Sequence, residues 1–137
     1  MKQLLRFLAV AVLATAACSD AFTPTADNML GDYTARTVTT SDTLGSVEWI
    51  QRGAALTISL GPSGTMTGHL FLPAAATGSG DLDTPLIGNW TLTGSTISFD
   101  MPTIDTFVRD TPWTAGKDRL SADQTFSGTR IRVVLTK

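Results

Sequence analysis

The 137-residue chain has one cysteine, Cys18, and one histidine, His69. A single cysteine cannot close an internal disulfide, so the fold must hold without a covalent cross-link. A single histidine excludes a histidine-rich metal cluster. It also leaves His69 as the lone imidazole base for a Ser-His-Asp site, and no Gly-x-Ser-x-Gly elbow supplies a nucleophile for it. His69 stands opposite the apolar face of its segment and is expected as an exposed strand residue. Long hydrophobic runs are missing too. The apolar stretch near the N-terminus is about ten residues, and a membrane-spanning helix needs roughly 20. No segment shows the 3.6-residue apolar period of an amphipathic helix.

What is present begins with an address. Lys2 and Arg6 precede an apolar run, Phe7 to Leu13, and small residues from Ala14 to Ala17 follow. Basic end, short apolar core and small-residue cleavage site are the order of a secretion signal. The residues Thr15-Ala16-Ala17-Cys18 resemble a lipobox, the site read by bacterial lipoprotein signal peptidase. The resemblance implies that Cys18 is acylated and becomes the first residue of the mature chain. It also gives a reason for one unpaired cysteine in an exported protein. Two or more acyl chains anchor stably where one holds only marginally, so the membrane is the expected partner. Ser19, not Asp, follows the cysteine. By enterobacterial sorting rules that points to the outer membrane.

Removal of residues 1–17 leaves 8 basic and 12 acidic side chains, a net charge of −4. Such a domain offers no broad basic surface, and no nucleic acid partner is expected. Residues 18–29 are polar, hold Pro24 and show no periodicity, as a lipid-anchored tether would. Residues 30–137 are expected to form one domain with its own core.

In that domain the composition shifts to strands. Threonine occurs 23 times in the chain; threonine and valine favour strands, and glycine and proline punctuate them. In residues 54–72, Leu56, Ile58 and Leu60 alternate with Thr57 and Ser59. The turn Gly61-Pro62-Ser63-Gly64 follows, and Met66, Gly68, Leu70 and Leu72 then share a face. In residues 87–101, Trp90 and Leu92 face one way, a Gly94-Ser95 turn intervenes, and Ile97, Phe99 and Met101 share a face. At the C-terminus Ile131, Val133 and Leu135 oppose Arg132, Val134 and Thr136. Weaker strands are expected over Asp32–Thr39, Ser46–Gln51 and Ile104–Arg109, and around Trp113, Leu120 and Phe126. Residues 73–85 are expected as the longest loop. The fold class is all-β: an antiparallel up-and-down meander of about eight strands, closed as a small barrel, with a β-sandwich as the alternative.

Three stretches carry a resemblance to the small bacterial lipocalin-like domains of the calycin group. "LGDYTA", residues 30–35, looks like the Gly-x-Trp opening strand, with Gly31 in place and Tyr33 where Trp is usual. "LTISLGPSGTMTG" resembles their hairpin of apolar strand, glycine-containing turn and threonine-rich strand, and "GNWTLTGSTISFD" their Gly-x-Trp-x-Leu, turn, Thr-Ile-x-Phe unit. The resemblance implies a lipocalin-like barrel whose lumen is either filled by side chains or holds one small ligand. It also implies an arginine, Arg130 or Arg132, stacked on Tyr33. Tyr33, Trp49, Trp90, Trp113 and Arg132 are therefore the candidate ligand-binding residues, with core packing as the competing role for the aromatics. In residues 47–52 each strand face mixes polar and apolar side chains, as at an edge or a cavity wall.

Other chemistry is thinly supplied. Asp81 and Asp83 carry oxygens for a cation but lack the rest of a calcium loop, with Pro85 and Leu86 where a ligand and glycine belong. A solvated acidic loop is expected there, with no metal and no cofactor. Asp105, Arg109 and Asp110 are expected to form structural ion pairs rather than an acid–base pair. No enzyme activity is expected. The functional expectation is a lipid-anchored envelope protein that binds a small apolar ligand in its barrel, or else an adaptor or inhibitor module with a packed barrel and no ligand.

Overall fold

The computed structural model describes residues 21–102 and 106–137. The expected signal, Cys18 and Ser19, and also Ile104 and Asp105, lie outside the described residues. Nine strands follow one another: β1 (Gly31–Asp42), β2 (Gly45–Glu48), β3 (Ala55–Leu60), β4 (Thr65–Leu72), β5 (Leu82–Thr93), β6 (Thr96–Asp100), β7 (Trp113–Gly116), β8 (Arg119–Phe126) and β9 (Thr129–Thr136). Three single helical turns accompany them: α1 (Ala26–Met29), α2 (Ala74–Thr77) and α3 (Phe107–Asp110). From β3 to β9 each strand pairs antiparallel with the next, and β9 pairs back on β1. The result is a closed eight-stranded up-and-down barrel of β1 and β3–β9, with β2 as an extra strand. Closure through β1 and β9 rules out the sandwich alternative.

The period-two pattern explains the wall. Leu56, Ile58, Leu60, Met66, Leu70, Leu86, Ile97, Leu120, Val133 and Leu135 point inward and are buried. Thr34, Thr57, Thr67, Thr91, Thr93 and Thr114 are their outward, exposed neighbours, so much of the excess threonine coats the barrel. In β1 both Ala35 and Val38 are buried, three residues apart. A β-bulge between Ala35 and Thr37 resets the alternation. Gly68 and Gly88 sit at inward positions. A Cβ on Gly68 would collide with the Thr57 carbonyl oxygen, and one on Gly88 with that of Asp100. Neighbouring strands cross there too closely for any side chain, as the tight coiling of a small barrel requires.

One end of the barrel carries the tight turns 61–64, Gly94–Ser95 and Lys117–Asp118, together with α1 and the C-terminus. The other end carries the longer connections 49–54 and 73–81, the helical turn α3 and the Ser127–Gly128 turn.

Three expectations need correction. The strand expected over Ile104–Arg109 is, in its described part, the helical turn α3. β7 has only four residues and leaves the wall open between β6 and β8; α3 covers the gap with fully buried Val108. Pro102 and Pro112 bracket the segment and discourage a ladder. Second, residues 82–85 are not loop but the start of β5, paired residue for residue with β4. Pro85 is tolerated because β6 reaches only Asn89–Thr93, which leaves the other edge of β5 open here. Third, the strand expected over Ser46–Gln51 stops at Glu48 and passes into a 3-10 turn, Ile50–Arg52.

Gly68→Ala is expected to destabilise the barrel by about 1–3 kcal/mol through overpacking, read as a lower urea midpoint. Gly80→Ala, where a Cβ meets nothing within 4 Å, should shift it by less than about 0.5 kcal/mol.

Candidate functional site

The four aromatic candidates all lie in the core. Tyr33 is fully buried at the tight-turn end and donates its hydroxyl hydrogen to the Met29 carbonyl oxygen at 2.8 Å. Within the stretch expected as a tether, a Thr25/Asn28 capping box builds α1 and delivers Met29 to the core. The cation over the Tyr33 ring is Lys137, 5.3 Å from the centroid, not Arg130 or Arg132. Lys137 also donates to the Asn28 carbonyl oxygen at 2.9 Å. Burial, and second the charge of Asp118, push the Tyr33 phenol up to about 12.

The three tryptophans each fasten a connection to the barrel. Trp90 Nε1 donates to the Gly61 carbonyl oxygen at 3.0 Å and holds the 61–64 turn. Trp49 Nε1 donates to Thr40 Oγ1 at 2.8 Å, with Arg52 5.6 Å over its ring. Trp113 Nε1 donates to the Val108 carbonyl oxygen at 3.0 Å and packs edge-on against Phe99. Each ring buries its apolar body and satisfies its polar tip within the chain.

Glu48 closes a gap in the wall. One edge of β1 pairs with β3 over residues 31–34 and with β2 over residues 39–42. Between them the amide of Val38 meets no strand. Glu48 Oε1 accepts it at 2.9 Å, and Oε2 accepts the Gln51 amide at 2.9 Å, capping the 3-10 turn. Desolvation raises the Glu48 carboxyl, but these amides and that of Ile50 outweigh it and hold the group below its ordinary value. The mixed faces of residues 47–52 follow: Trp49 turns in while Glu48 turns back to the backbone.

On the outer wall His69 meets Asp83 at 2.5 Å across β4 and β5, both well exposed. Asp81 accepts the Ala74 amide at the start of α2 at 2.7 Å. The two carboxylates therefore serve different partners. Arg109 pairs with its neighbour Asp110 at 2.8 Å.

The constellation that sequence reasoning missed lies on the outer face of β1, β2, β8 and β9. Register places Ser41 opposite Arg130, Thr39 opposite Arg132 and Thr37 opposite Val134. Asp123 on β8 accepts from Arg130 Nε at 2.7 Å and Nη2 at 2.6 Å, and lies 3.3 Å from Arg132 Nε. The Arg130 hydrogen bond, ahead of the charges of both arginines, holds the Asp123 carboxyl below the usual range. A cleft of about 310 Å³ runs beside the arginines. Arg132 thus faces solvent and not the lumen. One signal was available: residues 53–108 contain no lysine or arginine, so β3–β6 carry no permanent cation and the basic residues gather on the strands that close the barrel.

Compared with known proteins, the chain matches no family model, no curated protein and no solved structure.

Two measurements check this geometry. Glu48→Gln should cost about 1–3 kcal/mol near neutral pH, since it weakens bonds to otherwise unpaired amides. The lowered native carboxyl stabilises above the unfolded value of 4.5 and loses that contribution as pH falls through the native value. Urea unfolding should show the wild-type advantage shrinking below pH 4.5. Tyr33, the only tyrosine, has a raised native value; stability from keeping it neutral is present below about 10 and lost as pH rises toward about 12. Tyrosinate absorbance at pH 10.5 should therefore appear only in urea-unfolded protein.

Proposed function

We propose that this protein is a lipid-anchored module of the bacterial cell envelope that works through the outer surface of a packed barrel. The observation that carries this reading is the lumen. Leu56, Ile58, Leu86, Ile97, Leu120 and Leu135 meet there at 0–1% exposure, and the aromatic rings spend their polar atoms on fastening connections. A lumenal ligand would have to displace these buried side chains.

The lipobox-like residues 15–18 support the anchor, and the acylated cysteine would hold the chain in the outer membrane. α1 sits at the tight-turn end, so the tether leaves from there and the long connections point away from the bilayer. The net charge of −4 in the mature chain argues against nucleic acid.

A second reading keeps a small apolar ligand but moves it to the rim. A cleft of about 350 Å³ between α1 and the 61–64 turn is lined by Leu30, Pro62, Trp90 and Leu92 among others. That size falls at the small end of ligand sites.

The test is mass spectrometry of the mature protein purified from a Gram-negative host. The expected product begins at Cys18, carries acyl mass that Cys18→Ser removes, and holds no non-covalent small molecule. Cleavage elsewhere without acylation overturns the anchor. A non-covalent mass lost on denaturation moves the reading to ligand carriage. Its loss in Ala26→Trp, which fills the rim cleft from an exposed position, would place the ligand at the rim.

A further inference from the structure

Six of the eight cations in residues 21–137 lie on β1, β8, β9 and the turn and tail beside them: Arg36, Lys117, Arg119, Arg130, Arg132 and Lys137. Within that sector Arg130 and Arg132 are concentrated by geometry. They stand two apart on β9, so both point outward, and a single carboxylate, Asp123, serves both. The trio keeps a net positive charge. Asp123 engages Nε and Nη2 of Arg130, which leaves the Nη1 amino group and the amino groups of Arg132 as outward donors. Asp123 also fixes the Arg130 guanidinium before any ligand arrives, which lowers the ordering cost of binding.

The opposite wall of the cleft is built from hydroxyls. Thr37, Thr39, Ser41 and Ser46 line it with the two arginines and Val134. Ser41 and Ser46 lie across the β1–β2 ladder, with Oγ atoms 3.1 Å apart. Each hydroxyl can donate and accept. Among the described residues no aromatic lines the cleft, so a neutral sugar finds no ring there to stack on and a nucleic-acid base finds no platform. Guanidinium forks match carboxylates and phosphates; a row of hydroxyls matches a polyol. Across the β9 ridge a second trough of about 170 Å³ includes Thr114, Arg119, Ser121, Asp123 and Arg132. Arg132 borders both troughs, so a chain with repeated anionic groups fits better than one small anion.

We propose that the outer face of β1, β2, β8 and β9 binds an anionic saccharide, with Arg130 and Arg132 pairing its carboxylate or phosphate groups and Thr37, Thr39, Ser41 and Ser46 bonding its hydroxyls. The site rests on the reading that the barrel acts through its outer surface. Arg130 and Ser41 lie toward the end of the barrel opposite α1, away from the proposed anchor and open to glycan beyond the bilayer surface.

The test titrates the mature protein with oligogalacturonate, which offers carboxylates and hydroxyls together. Fully methyl-esterified oligogalacturonide offers the hydroxyls without charge, and polyglutamate the charge without the sugar hydroxyls. Oligogalacturonate should bind, with amide shifts confined to β1, β2, β8 and β9. The ester and polyglutamate should each bind about tenfold more weakly or worse. The double variant Arg130→Gln/Arg132→Gln should lose about tenfold in affinity, and Thr39→Val about threefold, for oligogalacturonate but not for polyglutamate. Should the double variant fail to fold, Arg132→Lys keeps the charge, loses the fork and should still weaken binding. Lipopolysaccharide, added as competitor, separates the sources: displacement at lower concentration assigns a glycolipid headgroup, and weaker competition a soluble acidic glycan. Equal binding by the double variant, by the ester or by polyglutamate overturns the site, as does a shift pattern centred elsewhere. A co-purified apolar molecule whose mass persists in Arg130→Gln/Arg132→Gln defeats the surface reading instead, and that result is independent of this titration.

Discussion

The pairing of β9 with β1 is the constraint on which the rest of this molecule depends. Antiparallel strands satisfy their amides only when both edges are matched, and an open meander would leave the outer edges of β1 and β9 bare. Closing eight strands into a small ring forces strong coiling. That coiling is why Gly68 and Gly88 lack side chains, and why β1 carries a bulge between its two halves. It also fixes the lumen at a width that Leu, Ile and Trp side chains fill. β1 bears the largest share of the burden. It pairs with β9 along one edge and divides the other between β3 and β2, and the carboxylate of Glu48 supplies the bond missing at the division.

Closure is imperfect where strands are short, and the chain repairs each gap by a different device. Glu48 and Trp49 patch the wall between β1 and β3. α3 and Trp113 patch the wall between β6 and β8. In both places a tryptophan buries its ring and bonds its indole N–H to a nearby oxygen. Tyr33, Trp49, Trp90 and Trp113 are thus accounted for by core packing and by the connections they fasten.

The sequence made the regular parts legible and hid the irregular ones. The β3–β4 and β5–β6 hairpins and β9 were readable because alternation with threonine leaves little ambiguity of face, and glycine marks the turns. The start of β5 was hidden because Asp83 and Pro85 are turn residues in most contexts, and only the open edge of that strand excuses them. α3 was hidden because Phe107 and Val108 look strand-like, while the gap they fill depends on the shortness of β7. The cation over Tyr33 was expected from β9 and came from the chain end, since register and not composition decides which side chain overhangs the ring. The arginine face needed closure to be seen: Thr39 and Arg132 are far apart in sequence and become neighbours only when the last strand meets the first.

The separation of cations from β3–β6 has a further consequence, for proteolysis. Proteases that cut after lysine or arginine find no site between Arg52 and Arg109. Half of the barrel wall is therefore opaque to them even when the chain is unfolded. Arg52 lies exposed in its 3-10 turn and Arg109 half-buried in α3, each between consecutive strands. A nick at either place would cut a connection and leave every barrel ladder intact, so the barrel could be cleaved and still remain closed.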